Sequence, residues 1–472
     1  MYRYGDRRQR MFFPECIDDY VLADAPVRAY DAIIEAMNLN QMGFELDRHK
    51  VGCPQYDPKV MLKLLVYGYS YGVRSSRKLE RACHYDTSFM WLTGGLKPDF
   101  KTIAEFRRKN KKALKCAIKE CAHICIKLEL IEGNILFIDG SKMRANAGIA
   151  RSWTKAKAID ALKKVDHRID LLLAEVEAVD TAEADHGSLV AVKKQLQDKQ
   201  AFKEKLEDIL TELQREHASS VNTTDPDCVR IHSRQGAHAG YNGQLVTDDK
   251  HGLIVHSDVV DSNNDLNQFS DQIEAANEVL DEPCKAGCAD AGYAQVDDLA
   301  RIDAQGIDVI VPSARQARGA EPGPFDKSKF VYDATRDCYF CPMGQRLNRH
   351  GVDEKKRQIK YSAGVVCRSC MHFGQCTPSR RHGRKITRLF NEEVREKLET
   401  LYEQPSSRAI FKRRKERAEH PFGHLKRNLN AGYFLLRGLP GVRAEMALLA
   451  TCFNITRMIT LLGVEGIKAA LV

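Results

Sequence analysis

The chain has 472 residues, of which 43% are hydrophobic and 29% are charged, and its formal net charge is +9. This length exceeds what one simple hydrophobic core occupies, so two or more domains are expected. No stretch approaches the roughly 20 apolar residues of a membrane helix, and residues 1–10 are polar and basic without an apolar run. The sequence therefore argues against export or a membrane span and predicts a cytoplasmic protein.

Residues 1–130 are predicted to form a helical N-terminal domain. Apolar residues recur at helical spacing in the segments 30–38, 59–69, 77–84 and 111–130. Thr102 is a candidate cap for a helix that ends in basic residues. A small helical domain that ends in a basic helix is typical of a reader of DNA ends, and a dimerisation module is the alternative interpretation.

The next segments predict an α/β core. Residues 135–138 are all apolar, which indicates a strand buried on both faces that stops at Asp139 and Gly140. A hairpin is predicted at 243–247 and 253–260, and further strands at 285–290 and 307–312 alternate with helices at 266–280 and 296–305. Helices from about 408 to 462, interrupted near Pro421 and Pro440, follow. This order predicts a ribonuclease-H-like α/β fold assembled from residues 131–150, 226–315 and 391–472.

Two insertions interrupt this core, in surface loops where they cost little. In residues 151–225, apolar residues follow the 3-4 spacing of a coiled-coil seam, at Leu162, Val165, Ile169, Leu172 and Val176. A second seam follows a polar break, so two antiparallel helices joined near residues 186–187 are expected. Residues 316–390 form the other insertion, which is rich in Gly, Pro, Cys and basic residues.

The 15 cysteines are not expected to form disulfides, because a cytoplasmic protein meets a reducing environment. Most of them lie among apolar residues and indicate small buried hydrophobes. The exceptions are two C-x-x-C pairs in the segment 316–390, formed by Cys338, Cys341, Cys367 and Cys370. Four thiolates on two tight turns are typical of structural zinc, so a zinc-ribbon-like insertion is predicted, in which Cys376 is an alternative ligand. Unrelated free cysteines are the other interpretation.

Basic residues are concentrated in three clusters. In the first, six of the nine residues from 107 to 115 are Lys or Arg. The second comprises five basic residues in the segment 380–388, and the third covers residues 412–417 and resumes at Lys426 and Arg427. Each cluster alone fits an ordinary solvated helix face equally well. The three together favour a polyanion that contacts the protein in several places, which indicates nucleic acid.

Acidic residues near the predicted strand ends suggest metal-dependent phosphodiester chemistry. Asp139 and Asp290 each follow a strand and precede a glycine closely, whereas Glu419 lies in the third basic cluster, where it is equally a helical partner of Lys415. Carboxylates at rigid positions hold the two hard cations that activate a nucleophile and stabilise the leaving oxygen. The competing acids include Asp258, Asp261 and Asp265. The residues alone therefore suggest this triad without selecting it.

Six short motifs occur along the chain in a characteristic order: GLKPDFKTIAEFRR (95–108), FIDGSK (137–142) with Ala145-Asn146, GYNGQ (240–244), ADAGY (289–293), Glu419 with Phe422-Gly423 and Lys426, and LRGL (436–439) with Glu445 and Asn454. Together they resemble the motifs of bacterial insertion-sequence transposases of the DDE class, in particular the 1182 group. The resemblance covers nearly the whole chain. It implies that Asp139, Asp290 and Glu419 are catalytic residues that bind Mg²⁺ or Mn²⁺.

The resemblance also implies an activity and its partners. Such a protein binds the ends of its element as double-stranded DNA, cleaves phosphodiester bonds and joins the 3′-OH ends to target DNA. Holding two ends requires at least a dimer, and the protein is expected to associate with the bacterial nucleoid. The candidate DNA contacts are Arg107, Arg108, Lys142, Arg414, Lys415, Lys426 and Arg427. The alternatives are an inactive DNA-binding repressor or domesticated relic, and a nuclease of the same fold without strand transfer.

The chain departs from the family pattern before the glutamate. Related transposases often have Tyr seven residues and Arg four residues before it, where this chain has Lys412 and Lys415. Lysine keeps the positive charge but lacks the two-pronged hydrogen bonding of arginine. Pro421 cannot lie inside a helix without removing a hydrogen bond, so a kink just after Glu419 is expected.

Overall fold

The computed structural model describes residues 16–44, 55–181, 186–215, 219–233, 236–319 and 321–471. The predicted mixed α/β architecture with a helical N-terminal region is confirmed. Parts of the predicted N-terminal domain, residues 1–15 and 45–54, lie outside the described residues. So does the connection at 182–185 between the two predicted coiled-coil helices.

The N-terminal region is built from short helices whose apolar faces meet in one core. The cap of the basic helix is Asp99 and not Thr102, because the Asp99 carboxylate accepts a hydrogen bond of 2.6 Å from the Thr102 backbone amide. The helices are α1 (Pro26–Ala36), α2 (Leu39–Met42), α3 (Pro58–Ser70), α4 (Ser76–Tyr85), α5 (Thr87–Leu92), α6 (Phe100–Lys109), α7 (Lys111–Lys115) and α8 (Ala117–Lys127).

The central region contains the main sheet and the helices that cover it. Its elements are β1 (Ile135–Arg144), β2 (Ser152–Trp153), α9 (Lys155–Thr181), α10 (His186–Arg215), β3 (Val221–Asn222), β4 (Val229–Ser233), β5 (Gly236–Asp248), β6 (Ile254–Val260), α11 (Phe269–Leu280), β7 (Ala286–Cys288), α12 (Val296–Asp303), β8 (Asp308–Ile310) and α13 (Ala314–Ala317). The strands β4, β5, β1, β7 and β8 lie side by side in that order, and β6 pairs with the same edge of β5 as β4 does. Strand β1 is antiparallel to β5 and parallel to β7.

The first strand is longer than the sequence predicted. Asp139 lies in the middle of β1 and not at its end, because β5 continues the antiparallel ladder from Leu136 as far as Arg144. Successive side chains of a strand point to opposite faces of the sheet. Phe137 packs among residues that precede Glu419, so the Asp139 side chain, two residues on, faces the same way. Gly140 and Lys142 face the side covered by α11.

Residues 155–215 contain two long helices that pack antiparallel, since the start of α9 meets the end of α10. Helices α9 and α10 pack along their length, and Val165 and Leu172 of the predicted seam are buried between them. A small cluster at the base, which includes Ala158, Ile209 and Leu213, anchors the pair to Val221 on β3.

The cysteine-rich insertion has more regular structure than its sequence suggested. It forms an antiparallel sheet in which each strand pairs with the next, made of β9 (Val331–Asp333), β10 (Cys338–Phe340), β11 (Arg346–Asp353), β12 (Gln358–Ser362) and β13 (Lys385–Leu389). Three tyrosines pack in its small core, where Tyr361 meets Tyr332 and Tyr339 edge to face and these two are tilted against each other. These strands are short and polar on one face, which is why apolar periodicity missed them.

The C-terminal region consists of helices. They are α14 (Glu392–Glu403), α15 (Pro405–Arg414), a π-helical segment (Lys415–Glu419), α16 (His420–Arg427) and α17 (Leu439–Leu471). The break expected near Pro421 occurs as the π-helical segment, and Pro421 itself lies in the first turn of α16, where its missing N–H is tolerated. Helix α17 bends at Gly463, whose φ is +70°, and continues beyond the predicted end at residue 462.

Helix α17 is the shared core of the N-terminal region and the main sheet. It packs against α1, α3, α7 and α8 on one side and against β6 on the other. By length and composition alone it is apolar enough to span a membrane, contrary to the expectation from sequence, but 61% of its apolar window is buried inside the fold. A buried ion pair between Arg74 and Glu445 fastens the N-terminal region to it.

Arg107, predicted as a DNA contact, belongs to the same buried network, and that prediction is therefore corrected. Its side chain is only 6% exposed and donates hydrogen bonds to the Tyr69 hydroxyl at 2.9 Å, the Arg74 carbonyl at 3.1 Å and the Ser76 hydroxyl. Arg108 is exposed and pairs with Glu105 on its own helix. Strong helical amphipathicity places adjacent arginines in opposite environments.

We expect Arg107→Ala to lower the free energy of unfolding by about 2–3 kcal/mol, because it leaves buried acceptors without their charged donor. Arg108→Ala is the matched control and should change it by less than about 0.5 kcal/mol. Urea unfolding monitored by circular dichroism measures both. Equal stability of the two variants would contradict this assignment.

Candidate active site

Asp139 is held in the interior by the sheet that surrounds it. Its side chain is 16% exposed and faces the π-helical segment between α15 and α16. Burial raises the pKa of the Asp139 carboxyl to about 7, and the negative charges of Asp290 and Glu419 act in the same direction. The Arg414 guanidinium opposes this rise. The three acids predicted from the sequence therefore lie close enough to influence one another.

Asp290 reaches the same edge from the neighbouring strand. Strands β1 and β7 are parallel with Phe137 opposite Cys288, so the residue two positions beyond each of them emerges side by side. The Asp290 carboxylate accepts a hydrogen bond of 2.7 Å from the Gly292 amide and caps the short 3₁₀ turn Ala291–Tyr293. This bond fixes the carboxylate beside Asp139.

Glu419 ends the π-helical segment, and its partner is Arg414 and not Lys415. The Arg414 guanidinium lies 3.3 Å from the Glu419 carboxylate and 3.5 Å from that of Asp139, so it bridges two of the three acids. The i,i+4 pair with Lys415 expected from the sequence is wrong, because a π-turn brings residue i+5 over residue i. Lys415 is exposed.

The same π-turn accounts for the departure from the family pattern. One additional residue in the turn shifts each earlier position by one, so Arg414 and Phe411 take the places that spacing alone gave to Lys415 and Lys412. The Arg414 guanidinium also lies over the Phe411 ring, 5.7 Å from its centroid. An arginine is therefore present at the acids after all, and the sequence signal that would have found it was Pro421, which favours a helical irregularity one turn earlier.

Lys426 approaches the opposite side of Asp139 from α16. Its ammonium group donates to the Ser141 hydroxyl and to the Lys142 carbonyl, both on β1 just beyond Asp139. Burial lowers the pKa of the Lys426 ammonium, and the negative charge of Asp139 opposes this shift. The helix and the strand thus place one lysine at the acids.

The competing acids separate into two kinds. Asp258 pairs with Arg443 at 2.8 Å, and Asp261 is exposed. Asp265, in contrast, lies directly behind β1, where its carboxylate accepts hydrogen bonds from Asn242 and Gln244. The sequence interpretation treated Asp265 only as a competitor. Two polar side chains on an otherwise buried strand were the signal that a partner lay opposite them.

The basic clusters are only partly available to a ligand. Arg384 and Arg388 of the second cluster bind the carbonyls and aromatic rings of their own domain. Arg413 of the third forms a two-pronged pair with Asp249. Lys142 pairs with Asp265 at 3.3 Å. The basic residues that remain exposed include Arg108, Arg380, Arg381, Lys385, Lys415 and Arg427.

The chemistry of the acidic cluster fits a divalent cation. Among the residues that the structure describes, no three His, Cys, Asp or Glu side chains lie close enough together to hold a metal ion as they stand. Arg414 lies between Asp139 and Glu419 and supplies part of the positive charge. Arg414 does not cancel the effect of burial, which raises the pKa of Asp139 to about 7.

The cysteines group differently from the prediction. Cys341, Cys367, Cys370 and Cys376 line one cavity of about 20 Å³. Burial raises the pKa of the Cys376 thiol. The positive charge of Arg384 opposes this rise, and the thiols of Cys367, Cys341 and Cys370 add to it. Cys338 is fully buried on β10 and does not line this cavity, because residues three apart on an extended strand face opposite ways. The cavity therefore favours the alternative ligand Cys376 over Cys338.

Two family models match parts of the chain. Residues 15–109 match a transposase domain (DUF772), and residues 340–459 match a transposase DDE domain that includes Arg414 and Glu419. The chain belongs to the insertion-sequence DDE transposases. No curated protein and no solved structure gives a significant match.

The two matched segments do not include all three acids of the candidate site. Neither matched segment contains Asp139 or Asp290, which both lie between them along the chain. In the fold, however, the DDE segment supplies Arg414 and Lys426, whose contacts reach Asp139 and its neighbours on β1. The transposase domain at 15–109 supplies the helices α1 to α6, of which α1 and α3 pack against α17.

We expect Asp139→Asn to stabilise the metal-free transposase at pH 8. A carboxyl whose pKa is raised in the folded state carries a penalty that is absent below about pH 4, grows as the unfolded chain ionises, and is complete above about pH 7. In EDTA, the melting temperature of the variant should exceed that of the wild type by a few degrees at pH 8, and the difference should vanish near pH 4.

The exposed acid Asp261 provides the control, since Asp261→Asn should leave the melting temperature unchanged at both pH values. A variant at position 139 that melts below the wild type at pH 8 would show that the carboxylate is not held under charge repulsion.

Proposed function

We propose that this protein binds the ends of an insertion sequence, cleaves phosphodiester bonds there and transfers the 3′-OH ends to target DNA by two-metal-ion catalysis. The observation that carries the proposal is that Asp139, Asp290 and Glu419, from distant parts of the chain, meet on one face of the main sheet, where Arg414 bridges Asp139 and Glu419 and β7 brings Asp290 beside β1. A protein that only bound DNA would gain nothing from carboxylates there, because they repel phosphate.

The strand arrangement supports a ribonuclease-H-like core. The order β6, β5, β1, β7, β8, with the first three antiparallel and the last three parallel, is the order that this fold requires. The helical pair α9 and α10 and the cysteine-rich sheet then enter as insertions in its loops. We propose the former as a contact for the second subunit that two DNA ends require.

Asp139, Asp290 and Glu419 would hold Mg²⁺ or Mn²⁺. Bound ions of this kind activate the attacking oxygen and stabilise the leaving oxygen of an in-line displacement. In the chain itself, the Gly292 amide orients Asp290 and β1 orients Asp139. In the metal-free protein, Arg414 would offset the negative charge of these carboxylates. When cations bind there, its guanidinium would bind a DNA phosphate instead.

The DNA would lie along the basic side chains around the three acids. Lys426 and Lys142 flank β1 beyond Asp139, whereas Arg427, Lys415 and Arg108 are exposed. Phosphate contacts of this type supply affinity and orientation without sequence preference. Arg107 is excluded from this set because it is buried.

We also propose a structural zinc ion bound by Cys341, Cys367, Cys370 and Cys376. The Gln345 amide lies 3.3 Å from the sulfur of Cys341, and the Arg384 amide lies 3.4 Å from that of Cys367, so both donate to sulfur as they would to thiolates. A cavity of about 20 Å³ admits one ion of water size. Zinc would stabilise an insertion whose own core is small.

The catalytic proposal is tested with DNA duplexes that carry the natural flanks of the open reading frame, incubated with a target plasmid and Mg²⁺ or Mn²⁺. We expect cleavage and joining by the wild type. Asp139→Asn, Asp290→Asn and Glu419→Gln should each lower both by roughly 10³-fold or more, since a lost metal ligand removes several kcal/mol of transition-state stabilisation.

Asp261→Asn should retain full activity in the same assay. Cleavage without joining would identify a nuclease, and a shift in gel mobility without cleavage would identify a DNA-binding relic. Either result would overturn the proposed strand transfer.

The zinc proposal predicts about one equivalent of zinc in the purified protein by atomic emission. Cys376→Ser should lose most of it and lower the melting temperature, whereas Cys338→Ser, a change of equal size outside the cavity, should retain the metal. A wild-type protein without zinc, or equal loss in both variants, would contradict the proposed ligands.

A further inference from the structure

Asp265 occupies the loop between β6 and α11, on the face of the sheet opposite the acidic triad. Its carboxylate accepts hydrogen bonds of 2.7 Å from the Asn242 side chain and 3.0 Å from the Gln244 side chain, and it pairs with Lys142 at 3.3 Å. Asn242 and Gln244 are both fully buried on β5. Three donors from two strands therefore converge on one carboxylate.

This carboxylate lies directly behind the residue that follows Asp139. A Cβ atom placed on Gly140 would come within 2.3 Å of the Asp265 carboxylate and 2.7 Å of the Gln244 amide. Both distances are far below van der Waals contact, so only glycine lets the acid approach β1 here. This close contact fixes the position of β1 relative to the Asp265 loop. It does so next to Asp139, whose side chain projects from the other face of the strand.

The same network reaches the loop that carries Asp290. The Tyr293 hydroxyl donates to the Gln244 side-chain oxygen, and Tyr293 ends the 3₁₀ turn that Asp290 caps. A Cβ atom on Gly292 would lie 2.8 Å from the Asp290 carboxylate and 3.7 Å from that of Asp265. Asp265 thus borders the supports of both aspartates.

We propose that Asp265 is a positioning residue of the active site, which fixes β1 relative to the loop of Asp290 and thereby sets the affinity of the acidic triad for divalent cations. The inference rests on the proposed metal-dependent function. Asp265 is assigned a positioning role and not that of a ligand, because Asn242, Gln244 and Lys142 all donate to its Oδ1 atom and tie it to β5 and β1. Outer partners of this kind commonly change metal affinity by about 10–100-fold.

Mn²⁺ binding to the full-length protein tests the proposal by isothermal titration calorimetry and by electron paramagnetic resonance of the free ion. We expect Asp265→Asn to weaken Mn²⁺ binding at least about tenfold. An amide at position 265 keeps the shape and one oxygen acceptor for Asn242 and Gln244, but it removes the negative charge that pairs with Lys142. Asp261→Asn, the same change four residues earlier on an exposed side chain, should bind Mn²⁺ as the wild type does.

Asp139→Asn separates this inference from the function on which it rests. If the wild type binds no Mn²⁺, or if Asp139→Asn binds it normally, the proposed catalytic function fails. If Asp139→Asn abolishes binding while folded Asp265→Asn binds like the wild type, the positioning role alone is overturned.

Tyr293→Phe provides a second variant in case Asp265→Asn does not fold. It removes only the hydroxyl at the far end of the network and keeps the buried ring. Weaker Mn²⁺ binding, by roughly threefold or more, at an unchanged melting temperature supports the network, because one lost hydrogen bond of ordinary strength corresponds to a change of that size. Unchanged binding overturns it, since loss of packing alone does not alter metal affinity selectively.

Discussion

Carboxylates that lie close together on one partly buried face of a sheet repel one another, and the surrounding fold has to offset that repulsion. Here Arg414 pairs with two of them, and Lys426 approaches on the same face of β1, at Ser141. Burial nevertheless raises the pKa of Asp139 to about 7, and the charges of Asp290 and Glu419 act in the same direction. In the proposed function, a bound divalent cation would supply the positive charge that offsets them.

Strand β1 carries this arrangement by using its two faces differently. On one face Asp139 meets the charged groups of the C-terminal helices. On the other, Gly140 and Lys142 meet the polar network around Asp265. Long pairing with β5 and parallel pairing with β7 leave the strand little freedom to move. The N-terminal region is tied to the same body through α17 and the buried pair of Arg74 and Glu445.

Local sequence patterns predicted the helices and strands that form because of residues close together in the chain. Apolar periodicity found the N-terminal helices, the helical pair and the strands β1, β5, β6, β7 and β8, but it missed β4, and the acids were proposed from motifs in order. Contacts between distant segments were not readable in this way. The burial of Arg107 depends on acceptors from α3 and from the segment that precedes α4, and the exclusion of Cys338 depends on which face of β10 turns inward.

The irregular turn at Lys415–Glu419 has a consequence for how such chains are read. This turn contains one more residue than an α-helical turn, while the helices before and after it are regular. A residue that lies one turn before Glu419 in space is therefore five positions earlier in the sequence and not four. A relative lacking that bulge would need its arginine four and not five residues before the glutamate to make the same contact. Aligning the two chains by intervals alone would then pair that arginine with the exposed Lys415 of this chain.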